Sequence, residues 1–381
     1  MHLLLWLALV QNPESPVTFQ KQVLTERYLA DGISSGDFNR DGKQDIVSGP
    51  FWYEGPDFKV AHEIYPAVDF ERPPNPTNSM FSYVADFNGD GWPDVLRLGR
   101  VHLHQAVWFE NPKGKAGLWK EHLVFDRVLG ESPPFVVHDG TPALVCHWEN
   151  KWGMLKPDPA DPTKPWVFHP VSVEGKYPQF YHGTGFGDVD GDGKPDLILN
   201  EGWWAQTTSG PWTSHPFKFG DKGGAQMFAV DVNGDGRADV VTSLDAHGWG
   251  LAWWEQLPGG DFKKHVFMGD HSEEGTHGVA FSQPHALAMA DLDGDGLQDL
   301  VVGKRRWAHG PKGDVEPDGE PVLYWFRLVR KPEPKFIPYK IDGASGVGVQ
   351  LTVTDVTGDG VPDVLTVSKL GAFLFKTERR K

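Results

Sequence analysis

Six stretches of this chain hold oxygen-bearing side chains at one fixed spacing. They read DFNRDGKQD, DFNGDGWPD, DVDGDGKPD, DVNGDGRAD, DLDGDGLQD and DVTGDGVPD, beginning at Asp37, Asp86, Asp188, Asp231, Asp291 and Asp355. The shared pattern is Asp-x-(Asp/Asn/Thr)-x-Asp-Gly-x-x-Asp. A tight loop of this kind turns side chains one, three and five toward a single point. Glycine at six makes the turn, position seven offers its carbonyl, and the aspartate at nine closes the cage. A hard cation with about six to eight oxygen ligands, calcium above all, matches that donor set. An EF-hand would need a glutamate at position twelve and flanking helices. Here position nine leads into β-type runs such as DIV, DVL and DLV.

The expected ligands are Asp37, Asn39, Asp41 and Asp45 in the first loop and Asp86, Asn88, Asp90 and Asp94 in the second. Asp188, Asp190, Asp192 and Asp196 form the third, and Asp231, Asn233, Asp235 and Asp239 the fourth. Asp291, Asp293, Asp295 and Asp299 form the fifth, and Asp355, Thr357, Asp359 and Asp363 the sixth. Twenty of these residues are aspartates, whose carboxylates repel one another without a cation. Six divalent ions would cut the formal charge from −16 to −4.

The loops recur at spacings of 49, 102, 43, 60 and 64 residues. The doubled spacing points to a degenerate copy, found at HDGTPALV (His138–Val145), where Phe135, Val137 and Ala143 replace ligands. Each repeat reads as four short strands, A to D, with the acidic loop joining A to B. Gly 45 and Pro 31 supply the turns such an array needs. The expectation is an all-β, seven-bladed β-propeller of four-stranded blades, one domain over residues 18–381. Thr18–Leu24 would complete the last blade and close the ring, removing an exposed edge.

These loops and strands resemble the FG-GAP/VCBS-type repeats of calcium-loop propellers, best known from the integrin α head. The resemblance implies Ca²⁺ in the six matching loops. The copy at Phe135 departs from the pattern.

In an up-and-down blade the A–B and C–D loops share one face, and the D–A and B–C loops share the other. His62, His122, His169, His215 and His265 recur at one place in strand D and read as packing residues. His102, His104, His147, His182, His247, His277, His285 and His309 fall in D–A or B–C connections, facing one mouth of an axial channel. A concave site with a few convergent polar groups is the default ligand pocket. Its expected catalytic groups are His182, His285, His277 and His309 with Lys304 and Arg305; its expected ligand-binding groups are Trp203, Trp307, Gln226, His247, Gln283, Gln350 and His147. Pairs such as His277/His285 and His102/His104 suit an additional divalent metal in the axial pocket.

Two function classes follow. One is an exported, calcium-stabilised module that recognises a carbohydrate or a protein partner. The other is a carbon–oxygen lyase on a keto sugar, with His285 or His182 as base and Lys304 or Arg305 stabilising the enolate. The blade pattern and His/Trp-rich loops are also similar to the propeller domain of aldos-2-ulose dehydratases, which implies dehydration of a keto sugar. No Ser-hydrolase or zincin motif is present.

A charge of −16 argues against nucleic acid. Cys146 is the single cysteine, so no internal disulfide exists. LLLWLALV (Leu3–Val10) is too short to span a bilayer and reads as the core of a signal peptide within residues 1–16. No transmembrane helix is expected.

Overall fold

Each acidic loop is followed by a short run of β-branched and aliphatic residues, then an aromatic run, and both are buried. The computed structural model describes residues 14–70, 77–99, 105–220 and 222–380. The expected signal peptide core (Leu3–Val10), His102 and His104 lie outside the described residues.

Strand β1 spans Val17–Thr25. A four-stranded sheet follows: β2 (Ile33–Gly36), β3 (Asp45–Ser48), β4 (Phe51–Tyr53) and β5 (Ala61–Glu63). The next holds β6 (Phe81–Ala85), β7 (Asp94–Leu98), β8 (Ala106–Glu110) and β9 (Lys120–Phe125). The degenerate repeat forms β10 (Phe135–His138), β11 (Thr141–Trp148), β12 (Lys151–Lys156) and β13 (Val167–Pro170). Then come β14 (Thr184–Gly187), β15 (Asp196–Leu199), β16 (Gly202–Ala205) and β17 (Thr213–Pro216). They are followed by β18 (Gln226–Val230), β19 (Asp239–Ser243), β20 (Leu251–Gln256) and β21 (Phe262–Met268). A single helical turn, α1 (Glu274–His277), precedes β22 (Pro284–Ala290), β23 (Asp299–Lys304), β24 (Leu323–Val329) and β25 (Lys335–Asp342). The chain finishes with β26 (Leu351–Thr354), β27 (Asp363–Ser368) and β28 (Gly371–Arg379), and β1 adds to β28 antiparallel.

The expected seven separate four-stranded blades are corrected. Among the described residues there are five four-stranded blades and one eight-stranded sheet. In that sheet β14 pairs parallel with β18, through Thr184↔Gln226 and Gly185↔Met227, so eight strands share one hydrogen-bonded sheet. Glycine is the physical reason. A Cβ on Gly185 would lie 2.2 Å from the Met227 carbonyl oxygen, so only a bare backbone lets the two strands meet.

Neighbouring units are held by apolar clusters between their faces. Leu144, Cys146 and Leu155 pack on Leu96, Trp108 and Val124, for example. Val364, Phe373 and Phe375 pack on Val301, Leu323 and Trp325. The D-strand histidines stack on C-strand tryptophans: His62 on Trp52, His122 on Trp108, His215 on Trp203 and His265 on Trp253, at 4.0–4.3 Å. His62, His122 and His265 also bond Glu54, Glu110 and Glu255 at 2.8–2.9 Å. No described helix is long and apolar enough to cross a membrane.

The aspartate at position nine has a structural task in every loop. Asp299 is fully buried and accepts hydrogen bonds from the backbone N–H of Leu292 (3.3 Å) and Leu328 (2.8 Å). Asp45, Asp94, Asp196, Asp239 and Asp363 tie the loop start to the end of a neighbouring strand in the same way. Asp299→Ala leaves two buried amides without acceptors and is expected to cost about 2–5 kcal/mol. Urea denaturation of the variant measures it, and a loss below about 1 kcal/mol would contradict this role.

Candidate functional site

Loop geometry comes from local hydrogen bonding. In the third loop, Gly191 N–H and Gly193 N–H donate to the two oxygens of Asp188 at 2.7 and 2.9 Å, and Lys194 N–H donates to Asp192 at 2.8 Å. Gly191 and Gly193 take positive φ, which an L side chain resists. This turns carboxylates inward. Donor atoms of Asp188, Asp190 and Asp196 lie within 4.8 Å of one another, as do those of Asp291, Asp293 and Asp295. Both groups fit a hard cation. Basic side chains compete for the same charge: Arg327 reaches Asp293 at 2.5 Å and Asp295 at 3.1 Å, and Lys113 reaches Asp90 at 3.0 Å.

The other cluster is assembled from the D–A and B–C connections. His182 enters from the segment before β14, His247 from between β19 and β20, and His285 from the start of β22. Glu131 comes from the segment before β10. Arg305, His309 and Asp314 come from the long connection after β23. Donor atoms of Glu131, His182, His247 and His285 all lie within 4.8 Å of one another.

Second contacts fix the ring nitrogens. His182 Nδ1 lies 2.9 Å from the Phe180 carbonyl, which places its proton there and leaves Nε2 as a lone pair. Arg305 Nη1 donates to His285 Nε2 at 2.9 Å, so that atom is also a lone pair. His247 turns Nδ1 toward Asp314 Oδ1 at 3.4 Å and Nε2 toward His182 Nε2 at 3.0 Å. Glu131 Oε2 stands 3.2 Å from His182 Nε2 and 3.7 Å from His285 Nε2. A proton on His247 Nδ1, beside the carboxylate, leaves two Nε2 lone pairs facing each other next to a carboxylate oxygen. Imidazole nitrogens and one carboxylate form a donor set for a divalent transition metal, so these residues fit one.

Burial raises the Glu131 carboxyl, but its contacts with His182 and His285 and the Arg305 charge outweigh this and hold it well below the usual range. Burial, then the Arg305 charge, hold His285 well below the ordinary imidazole value. Burial also lowers His247, despite Asp314. For Asp314, burial is outweighed by contacts with His247 and His309, and its carboxyl is lowered. His309 Nδ1 lies 2.8 Å from Asp314 Oδ1, and that bond raises its imidazole. A cavity of about 410 Å³ opens beside the cluster, lined by His182, His247 and Asp314 with Lys222, Asp245 and Val315.

The structure therefore brings together His182, His247, His285, His309 and Arg305 of the expected set. It places the others elsewhere. His277 ends α1 and lines a separate groove with Trp253 and Phe336. Burial pushes His147 down to about 4, among Trp152, Tyr177 and Tyr181. Trp203 is occupied by its stack with His215. Trp307 donates to Asp318 and lies under Arg306. Gln226 bonds the Val349 carbonyl and Leu287 N–H, and Gln350 bonds both backbone groups of Ser82, so both tie inner strands. Gln283 donates to the Val315 carbonyl, and Lys304 is buried against Ser282. Sequence reasoning missed Glu131 and Asp314. Asp314 closes the polar segment GKRRWAHGPKGD, five residues after His309, and that proximity was the available signal.

Residues 188–242 and 231–302 match the family model of the FG-GAP-like repeat. Residues 188–302 are thus similar to FG-GAP-like repeats. No curated protein sequence matches it. Among solved structures, BBS1N in complex with ARL6DN is 10% identical, with a TM-score of 0.52, covering 96% of this chain and 98% of that one. Rhamnogalacturonan lyase YesW is 12% identical, with a TM-score of 0.47, covering 94% and 72%. The Photorhabdus luminescens Tc holotoxin pore is 19% identical, with a TM-score of 0.41, covering 78% of this chain; this chain spans only 14% of that toxin chain. At these identities the likeness is one of fold, and the BBS1N match supports a propeller-like one.

Proposed function

We propose that the FG-GAP-like loops bind calcium, and that the axial cluster is a divalent-metal centre serving a pocket for a carbohydrate-type ligand. On that ligand the chain acts as a carbon–oxygen lyase. The observation that carries this reading is the facing pair of His182 and His247 Nε2 atoms, 3.0 Å apart and beside Glu131. Glu131, His182 and His247 would hold the ion, whose chemistry is to polarise a substrate carbonyl, while Arg305 Nη1 occupies the His285 Nε2 lone pair beside them.

The base differs from the one expected from sequence. His182 donates Nδ1–H to the Phe180 carbonyl and would give its Nε2 lone pair to the ion, and His285 Nε2 accepts from Arg305. His309 is the better proton acceptor. Asp314 fixes its Nδ1 proton, which leaves Nε2 to accept. It would take the proton α to a carbonyl. The C–H pair becomes the new C=C bond, the β C–O bond breaks, and the proton passes from Nε2 to the departing hydroxide. The products are an enone and water.

The test is enone absorbance with metal-loaded protein and a panel of keto sugars. His309→Ala is expected to lower kcat by about 10²–10⁴. Turnover unaffected by that change would sink the base assignment. Saturable sugar binding with no absorbance would leave a recognition pocket without chemistry.

A further inference from the structure

The acidic loops share one sequence pattern but not one electrostatic environment. In the fifth loop the carboxylates at positions three and five share a guanidinium. Asp293 Oδ1 and Asp295 Oδ1 accept the loop's own backbone N–H groups, from Asp295 at 3.3 Å and Leu297 at 2.9 Å. The two Oδ2 atoms face Arg327 of β24 instead, at 2.5 Å from its Nε and 3.1 Å from its Nη2. Asp293 Oδ2 and Arg327 Nε are both closed to solvent, so each is the charge that offsets the other's burial. Burial works against the Arg327 charge, and Asp293 and Asp295 outweigh it.

A second guanidinium lies on the backbone of the same loop. Arg379 of β28 donates from Nε to the Leu292 carbonyl at 3.0 Å and from Nη2 to the Asp291 carbonyl at 3.3 Å. The third loop is built without either cation. Its corresponding carbonyl, Val189, accepts from the neutral amide of Gln256 at 3.1 Å. Among the described residues no ion pair reaches Asp188, Asp190 or Asp196, and Lys194, inside the loop, pairs with Asp192 alone. The first loop also has an amide there, Asn111 on the Phe38 carbonyl at 2.9 Å.

We infer that Arg327 is the resident cation of the fifth loop, so that this loop takes calcium only after the third has filled and stays closed without it. This rests on the reading that the loops bind calcium, and it orders two of them by affinity. A divalent ion entering the fifth loop must displace a fixed positive charge or lie beside it, a cost the third loop does not carry. The fifth loop leads through β23 into Arg305, His309 and Asp314. The sheet that presents these residues therefore keeps its loop shut at calcium levels that empty the third.

Calorimetric titration of the calcium-depleted full chain with calcium chloride tests it. The third loop is expected to bind at least about tenfold more tightly than the fifth. Asp188→Asn should therefore remove one tight site, and Asp291→Asn none. Arg327→Met should add one tight site, which Asp291→Asn in the same chain then removes. Should Met unsettle the metal-free fold, the melting temperature against calcium concentration reads the same site, and the variant should gain more from calcium than the unaltered protein. Loss of a tight site on Asp291→Asn with Arg327 in place overturns the inference, as does Arg327→Met without a gain by either measurement. Calcium bound by no form removes the reading of the loops, and the inference with it.

Discussion

Stripping divalent ions with excess EDTA lowers the melting temperature by about 10 °C or more, and calcium restores it. An ion that binds only the folded chain adds about 2.7 kcal/mol per site at roughly 100 times Kd. Several filled loops then outweigh the spread of a typical domain stability. The metal-free protein should also lose stability as pH rises from 5 to 8. Burial holds the folded carboxyls of Asp45, Asp196 and Asp239 up at about 6, and those of Asp94 and Asp299 at about 7. In the unfolded chain an aspartate titrates near about 3.9. Between these values the folded state binds more protons, so these groups favour folding most at low pH, and that contribution is lost as pH climbs through the folded values. Bound calcium supplies the opposite charge and should flatten the dependence. Scanning calorimetry at pH 5 and 8, with EDTA or calcium, measures both effects. Superimposable melting curves would mean that the loops hold no stabilising ion.

Glu131→Gln abolishes transition-metal binding in the axial pocket and takes turnover with it. The change keeps the shape and removes the one carboxylate among His182, His247 and His285. It also leaves Arg305, 3.8 Å away, without that counter-charge, which makes the potential at the ligand atoms more positive and disfavours a cation. Affinity for Zn²⁺ or Co²⁺ is expected to fall by more than about 100-fold, beyond the loss usual for groups behind the ligands. The Co²⁺ absorption spectrum reads this without any substrate. Calcium-dependent melting should persist, because the loops lie on other connections. An unchanged Co²⁺ spectrum would remove Glu131 from the centre.

Local features were legible from the chain. The nine-residue loops announce a turn, a carboxylate group and a following strand, because all three depend on residues close in sequence. Four of the five strand D histidines were legible for the same reason, Trp and His recurring one hairpin apart; the fifth, His169, is exposed opposite Met154 rather than packed on a tryptophan. The joining of β14 to β18 was not legible. Nothing in GTGFGD, just after the expected catalytic His182, signals that Gly185 permits backbone contact with Met227, some forty residues on. The pocket was half legible. Histidines advertise themselves, but Glu131 lies in the degenerate repeat, and its partners are brought to it from four other places in the chain. Gln226 and Gln350 look the same in sequence whether they bind a ligand or brace two strands; only the positions of Val349 and Ser82 decide.

The pairing of β1 with β28 sets a timetable for synthesis. Val17 meets Arg379, so β1 has no edge to join until the ribosome has made about 360 further residues, through β28. The inner blades can zip up as they emerge, since their ladders connect neighbours. The final ladder closes a loop of more than three hundred residues, and such closure carries an entropic cost that rises with the logarithm of the separation it spans. During that wait the exposed edge of β28 in one nascent molecule can accept β1 from another. Crowded expression therefore favours strand-exchanged oligomers, and dilution or slower synthesis favours the monomer.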